Sequence, residues 1–249
     1  SILLESSDYH GNDNSFSYIC CNPIASIKVE ASVITKTYPD RTTEIKTVSH
    51  DKVTLEIDAF TKQFETQKDK VFKFINNGMF GFTAYDAVKY FEDITISKKN
   101  GSVEIPDMYY AVYQNIIAIN HFKNEAYIFA HCYETESNIE AIDHLIKMQS
   151  FSSYDFKSIG SISSNLTDEA FKSNVDLAKK HCNRGDVFQL VLSKKFQQDF
   201  KGDDFNVYRA LRSINPSPFL FYFDYGKFKI FGSSPEAQLV VENQKAEIH

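Results

Sequence analysis

The sequence lacks most of the residue arrangements from which familiar active sites are built. Its four cysteines, Cys20, Cys21, Cys132 and Cys182, form no CxxC pair. Adjacent Cys20 and Cys21 cannot easily bridge one another, which argues against a disulfide frame or a zinc site. Such thiols suit a reduced, cytoplasmic environment. The seven histidines are scattered, with no HExxH or HxH spacing to ligate a metal. Neither a Walker loop nor a GxGxxG phosphate cradle occurs. There is no run of Lys or Arg, and the net charge of −6 disfavours a phosphate backbone, so no nucleic acid partner is expected. No stretch nears ~18 uninterrupted apolar residues, so no membrane span is expected. The chain opens at Ser1 without a methionine or a signal-like apolar region, and its true start is expected upstream.

What is present is apolar and strongly patterned. At 249 residues and 43% hydrophobic content, the chain can fill a sizeable core as one large domain or two small ones. Residues 16–21 and 25–36 predict strands, the second with Ile27, Val29, Ala31 and Val33 on one side. Residues 42–48 predict a weaker strand. Residues 55–64 predict a short helix with Ile57, Phe60 and Phe64 on one face. Residues 78–85 predict an apolar strand whose glycines, Gly78 and Gly81, mark a bend or a close backbone approach. Asp86 is placed to cap the helical turn that follows. Segments 108–112, 116–120 and 126–131 predict an antiparallel meander with its last turn at Lys123-Asn124. Residues 138–148 predict a helix with Ile139, Ile142, Leu145 and Ile146 facing inward.

Residues 151–164 hold six serines and one glycine without a clear period, and predict a connector between two halves. Beyond it, Thr167 caps a helix that carries Phe171, Val175, Ala178 and Cys182 on one stripe, and Gly185 ends it. Residues 187–196 are apolar on both faces through Leu192, which predicts a strand deep in a sheet. Gln189 is the one polar side chain among its first six residues. A buried amide needs partners for both ends, so Gln189 is either a satisfied core group or a group aimed into a cavity. Residues 207–214 predict a short amphipathic helix. Asn215-Pro216-Ser217-Pro218 is then a run of turn formers. Residues 219–224 and 227–231 form a hairpin closed at Tyr225-Gly226, and Gly232–Glu236 stops its second strand. Glu5, Asp86, Asp186 and Glu236 are single carboxylates beside turns and read as caps or solvated charges. Chemistry alone reaches an α+β protein that binds a small molecule.

Several segments in register carry a resemblance. Leu3-Leu4-Glu5-Ser6-Ser7, GMFGFTAYDAVKY at 78–90, GDVFQLVLSKKF at 185–196, NPSPFL at 215–220 and GSSPE at 232–236 occur in that order. The chain thereby resembles component I of anthranilate synthase, the large chorismate-utilising subunit, over nearly its whole length. The resemblance implies an α+β fold of large antiparallel sheets packed between helices. It implies a reaction of chorismate with ammonia to give anthranilate and pyruvate, with Mg²⁺ on the substrate carboxylate. It implies a glutamine amidotransferase subunit as ammonia source and L-tryptophan as feedback inhibitor at a separate site. On this reading residues 1–150 are a regulatory region, 151–165 a connector and 166–249 the first part of the chorismate-binding catalytic domain.

The family's tryptophan site, carried over, comprises Glu5, Ser6, Ser7, Asn215, Pro218, Phe219 and Leu220. The parts suit the ligand: Glu5 and the Pro218 carbonyl for its ammonium, amides near Leu220 and the Ser6 hydroxyl for its carboxylate. Leu3, Leu4 and Phe219 would line a slot for the indole. The two segments fall in different halves on this reading, so that a ligand joining them would bias how the halves sit. Phe16 stands where some members place a basic residue. Gln189 stands where related water-using enzymes carry a lysine base; an amide does not titrate near neutrality, which favours an amine-using enzyme. Lys194-Lys195 replaces a frequent pair of arginines. The catalytic histidine, the Mg²⁺ carboxylates and the chorismate-gripping residues of the family find no counterpart in 1–249, and the chain alone is expected to be inactive. Two alternatives stay open: aminodeoxychorismate synthase component I, and an amino-acid sensor without chemistry.

Overall fold

The computed structural model describes residues 1–6, 15–64, 71–96, 104–148, 151–152, 154–237, 239–242 and 245–248. Strands β1 (Ile2–Glu5), β2 (Phe16–Glu30), β3 (Val33–Thr37) and β4 (Thr43–Thr47) precede helix α1 (Val53–Thr61). Strand β5 (Met79–Thr83), a 3₁₀ turn at Tyr85–Tyr90, β6 (Met108–Asn120) and β7 (Glu125–Ala130) lead to α2 (Ile139–Lys147). Then come β8 (Phe156–Ser164), α3 (Asp168–Arg184), β9 (Phe196–Gly202) and α4 (Phe205–Ile214). The last strands are β10 (Phe219–Asp224), β11 (Lys229–Ser234), β12 (Leu239–Glu242) and β13 (Lys245–Ile248). Two compact units result: Ser1–Ser150 together with Ala210–His249, and Phe151–Arg209. The class is α+β with a large antiparallel sheet, as the resemblance implied.

In the first unit a nine-stranded sheet among the described residues runs β11-β10-β1-β2-β3-β4, with β6 joining β2 to β5 and β7. Strand β2 organises it. One edge pairs with β6 from Phe16↔Asn120 to Val29↔Met108. The other edge is shared, pairing with β1 at Tyr18–Cys20 and with β3 at Ser26–Glu30. Between the two stretches Asn22 adopts φ 57 and the register slips between Pro23 and Ala25. A proline tolerates such a gap because it has no ladder donor to lose. The buried Asn115 amide closes the gap: its Oδ1 accepts from Asn22 (2.8 Å) and its Nδ2 donates to Asn138 (2.7 Å). Each part of β2 carries its own apolar cluster. One gathers Ile27, Val29, Ile34, Val53 and Phe60; the other gathers Ile2, Cys20, Phe80, Ile116 and Phe223. Burial pushes the Cys20 thiol up to about 12, so it packs as a neutral group.

Several expectations change. The 25–36 strand is a hairpin that turns at Ala31-Ser32, where φ is 48° and 66°. A two-residue turn with both φ positive normally selects Asn-Gly. Here tertiary contacts hold it: Ala31 N–H donates to Asp107 Oδ2 (3.1 Å) and Ser32 N–H to the Tyr90 hydroxyl (3.0 Å), with Lys89 paired to Asp107 at 2.8 Å. The meander is two strands, since 108–120 is continuous. Ala84, not Asp86, is the N-cap of the 3₁₀ turn, and Asp86 lies in its first turn. Leu145 of α2 is 64% exposed, where an inward face was expected. Gly81 does mark a close approach: a Cβ there would lie 1.9 Å from the Tyr109 carbonyl oxygen.

In the second unit, α3 begins and ends where the sequence puts it. Thr167 Oγ1 accepts from Ala170 N (3.2 Å), and Gly185 ends the helix at φ +78° with its N–H on the Cys182 and His181 carbonyls. Much of the serine-rich segment is strand β8, paired with β9 and exposed along its length, which is why it shows no hydrophobic period. Residues 187–195 form no strand, and Val191 is 83% exposed. An apolar run becomes a buried strand only where neighbours supply a ladder, and none pairs with it among the described residues. Lys194 is bound to Asp168 at the start of α3, and the Lys195 amide donates to Asn165 Oδ1 (2.8 Å).

Candidate functional site

Strand β1 lies between β2 and β10, and this places two distant motifs side by side. The register is Ile2↔Phe223, Leu3↔Tyr222, Leu4↔Phe221 and Glu5↔Leu220 on one edge of β1, and Leu4↔Tyr18 on the other. The turn Asn215–Pro218 ends α4, closed by Asn215 N–H on the Leu211 carbonyl (2.8 Å), and feeds β10. Its shape is held from the neighbouring strand. Ser233, opposite Leu220, donates its hydroxyl to the Asn215 carbonyl (2.5 Å) and lies 2.9 Å from Ser217 Oγ. Gly232 leaves space for the Phe221 ring, whose nearest atom would be 2.7 Å from a Cβ at that position.

At the meeting of the two segments opens a hollow of about 660 Å³. Glu5, Ser6, Pro218, Phe219 and Leu220 line it. Sequence reasoning missed further lining groups, Ser15, Tyr18, Ile75, Phe221 and Val240. Tyr18 follows from the β1–β2 register once Leu3-Leu4-Glu5 is known to be a strand; nothing local in the sequence points to Ile75. Phe16 also lines the hollow and packs its ring, tilted by 31°, against Phe74 with centroids 4.7 Å apart. Asn215 is not in the wall but carries the carbonyl that anchors the turn. Ser7 lies outside the described residues. Gln189 sits in the exposed 187–195 segment of the second unit rather than buried in a strand.

Electrostatically the wall is simple. Glu5, with its side chain 11% exposed, is the only charged side chain lining the hollow among the described residues, and Arg212 Nη2 approaches its Oε1 at 3.4 Å. Burial pushes the Tyr18 hydroxyl up, partly offset by a hydrogen bond with the Ile75 backbone, so it stays neutral at ordinary pH. Such a wall accepts a cation at Glu5, offers hydroxyl donors, and surrounds an apolar body. Among the described residues no three His, Cys, Asp or Glu side chains converge to hold a metal. No helix of the described residues is long and apolar enough to cross a membrane.

Comparison with known proteins gives the same direction as the motifs. The profile of the chorismate binding enzymes matches residues 5–249. The chain belongs to the chorismate binding enzyme family. Anthranilate synthase component 1 of Lactococcus lactis subsp. lactis is 27% identical over 98% of this chain and 54% of its own length. Aminodeoxychorismate synthase component 1 of Bacillus subtilis is 26% identical over 94% of this chain and 50% of its own. The crystal structure of anthranilate synthase component I from Streptococcus pneumoniae superposes with a TM-score of 0.67 at 25% identity, covering 94% of this chain and 53% of that one. The chain thus spans about half the length of these chorismate-family relatives.

One expectation about the site is corrected. The Glu5 and Pro218 segments do not belong to separate halves: residues 210–249 fall in the same compact unit as 1–150 because β10 is hydrogen-bonded to β1.

Proposed function

We propose that the chain is the N-terminal part of an anthranilate synthase large subunit and that the hollow beside β1 holds L-tryptophan as feedback inhibitor. The observation that carries this reading is the placement of Glu5, Ser6, Pro218, Phe219 and Leu220 around one hollow, from segments far apart in sequence. Glu5 would take the ligand's ammonium, the Ser6 hydroxyl and the amides that open β10 its carboxylate, and the Phe219 and Leu220 side chains part of its indole. A ligand there touches two paired strands at once. Inhibition then follows if the inhibited arrangement of that pairing binds tryptophan better, typically by ~1–3 kcal/mol of coupling.

The reaction proposed for the longer polypeptide is chorismate plus ammonia to anthranilate, pyruvate and water. A glutamine amidotransferase subunit would release the ammonia. Mg²⁺ would supply the grip on the chorismate carboxylate, held by residues outside this chain. Gln189, an amide without a useful proton to exchange, suits a reaction whose nucleophile is an amine. We assign the enzyme to the cytoplasm, where chorismate chemistry and unbridged thiols are both at home.

Tryptophan titration tests the site. The chain contains no tryptophan of its own, so a shift in the ligand's indole emission on binding can be followed without protein indole emission, alongside calorimetry. Binding is expected in the wild type and should be abolished by Ser6→Phe or Pro218→Leu; a wild type that takes up no tryptophan overturns the reading. The isolated chain is expected to make no anthranilate, and turnover by it would refute the division of labour. Aminodeoxychorismate synthase is the second reading, favoured by the likeness to the Bacillus subtilis protein. The product formed by the longer polypeptide, anthranilate or aminodeoxychorismate, separates the two.

A further inference from the structure

Ser15 is 3% exposed, and its hydroxyl is the one buried side-chain polar atom without a hydrogen-bond partner among the described residues. It lines the hollow beside Glu5 and Ser6. Its backbone is fixed, because its carbonyl accepts from His121 N–H (3.0 Å) and the next residue, Phe16, enters the ladder opposite Asn120. The hydroxyl is therefore held at the wall by the β2–β6 pairing and satisfied by no partner among the described residues. Buried hydroxyls are almost always bonded, and leaving one bare is unfavourable unless something else gains from it. The hollow beside α1 offers a contrast. It measures about 620 Å³, but several of its polar groups are engaged: His131 Nε2 with the Asn76 carbonyl (2.9 Å), Asp40 Oδ1 with Thr42, and Thr61 with the Ile57 carbonyl.

We infer that Ser15 is a ligand-binding residue of the hollow, its hydroxyl donating to the carboxylate of a bound aromatic α-amino acid. This rests on the tryptophan reading above and adds to Ser6 and the β10 amides a further donor for the acid end of the ligand. The chemistry follows from the wall. Its one charged side chain is anionic and suits the ammonium. With no Lys, Arg or His lining it among the described residues, a carboxylate must be met by neutral donors. Ser15 supplies such a donor already stripped of water, so the desolvation is borne before the ligand arrives and the new bond is correspondingly strong.

The test uses the 249-residue chain, Ser15→Ala, L-tryptophan, and tryptamine, which keeps the indole and ammonium but lacks the carboxylate. Ser15→Ala is expected to weaken tryptophan binding roughly tenfold or more, the loss of a hydrogen bond to a charged group. It should leave tryptamine affinity unchanged and leave the melting temperature of the unliganded protein equal or higher, since a bare polar atom has been removed. Equal tryptophan affinity in wild type and variant overturns the role of Ser15 while leaving the hollow's assignment intact. A lowered melting temperature without ligand also overturns it, because the hydroxyl then serves the fold. A wild type that binds no tryptophan removes the underlying reading and this inference with it, a result distinct from the other two.

Discussion

Ser233 Oγ donates to the carbonyl of Asn215 at 2.5 Å, so that the strand carrying the GSSPE motif fastens the turn carrying NPSP. The same hydroxyl stands 2.9 Å from Ser217 Oγ, and Ser217 is itself buried. Ser233→Ala removes the fastening without adding bulk. A net cost of about 1 kcal/mol is expected, with tryptophan affinity falling several-fold because the wall loses its shape. Paired thermal melts and titrations check it, and an affinity loss with no stability loss would contradict the structural role.

Glu5 and Arg212 give predictions of opposite sign. Glu5→Gln removes the acceptor for an ammonium and should weaken tryptophan binding at least tenfold. Arg212→Ala removes the cation already leaning on Glu5 at 3.4 Å. A sparsely exposed carboxylate deprived of one partner gains more from another, so affinity should rise or hold. Calorimetry on both variants decides; a parallel loss in each would place Arg212 on the ligand rather than on Glu5.

The Glu56 carboxyl lies below its ordinary range because the buried Lys36 and the neighbouring Lys46 both donate to it, with Lys36 at 2.6 Å. A depressed folded-state value means the stabilisation is present above the ordinary value of 4.5 and is lost as pH falls through the lower folded-state value. The wild type should therefore lose melting temperature on acidification below about that point. Glu56→Gln should be less stable at neutral pH and show a shallower acid slope. Melts across that pH range measure both.

Gly81→Ala tests the close approach of β5 and β6. The added methyl would meet the Tyr109 carbonyl at 1.9 Å and Tyr110 Cα at 2.7 Å, both backbone atoms that cannot rotate away. A loss on the order of 3–5 kcal/mol is expected, at the severe end for one substitution. Urea unfolding would show it as a lower midpoint with unchanged slope.

How much of this was legible from residues alone depends on how local the cause is. Helix α3 could be read because its cap, stripe and terminating glycine lie within one short stretch: Thr167, Phe171 to Cys182, and Gly185. The Ala31-Ser32 turn could not, because its positive φ values are stabilised by Asp107 and Tyr90 from elsewhere in the chain. The 108–120 strand looked like two because the polar pair Gln114-Asn115 interrupts the apolar pattern. Asn115 is nevertheless fully buried, satisfied by Asn22 and Asn138. Residues 187–195 looked like a core strand because composition reports what a segment can bury, not whether a neighbour is there to cover it. At the site, the motif resemblance pointed to Glu5, Ser6 and Pro218. Ser15 carries no signal in sequence, since an isolated serine declares nothing until its surroundings leave it bare.

The four residues of β1 are zipped on both sides, to Tyr18–Cys20 on one edge and to Leu220–Phe223 on the other. That short strand is the splice between the first stretch of the chain and the last, and the hollow sits at its end. Occupancy and chain closure are therefore linked. Whatever settles there should slow amide exchange along Leu3–Glu5, resist peeling of β10, and make the splice harder to undo, so that the first effect of a bound molecule is a change in how firmly the polypeptide is sewn together.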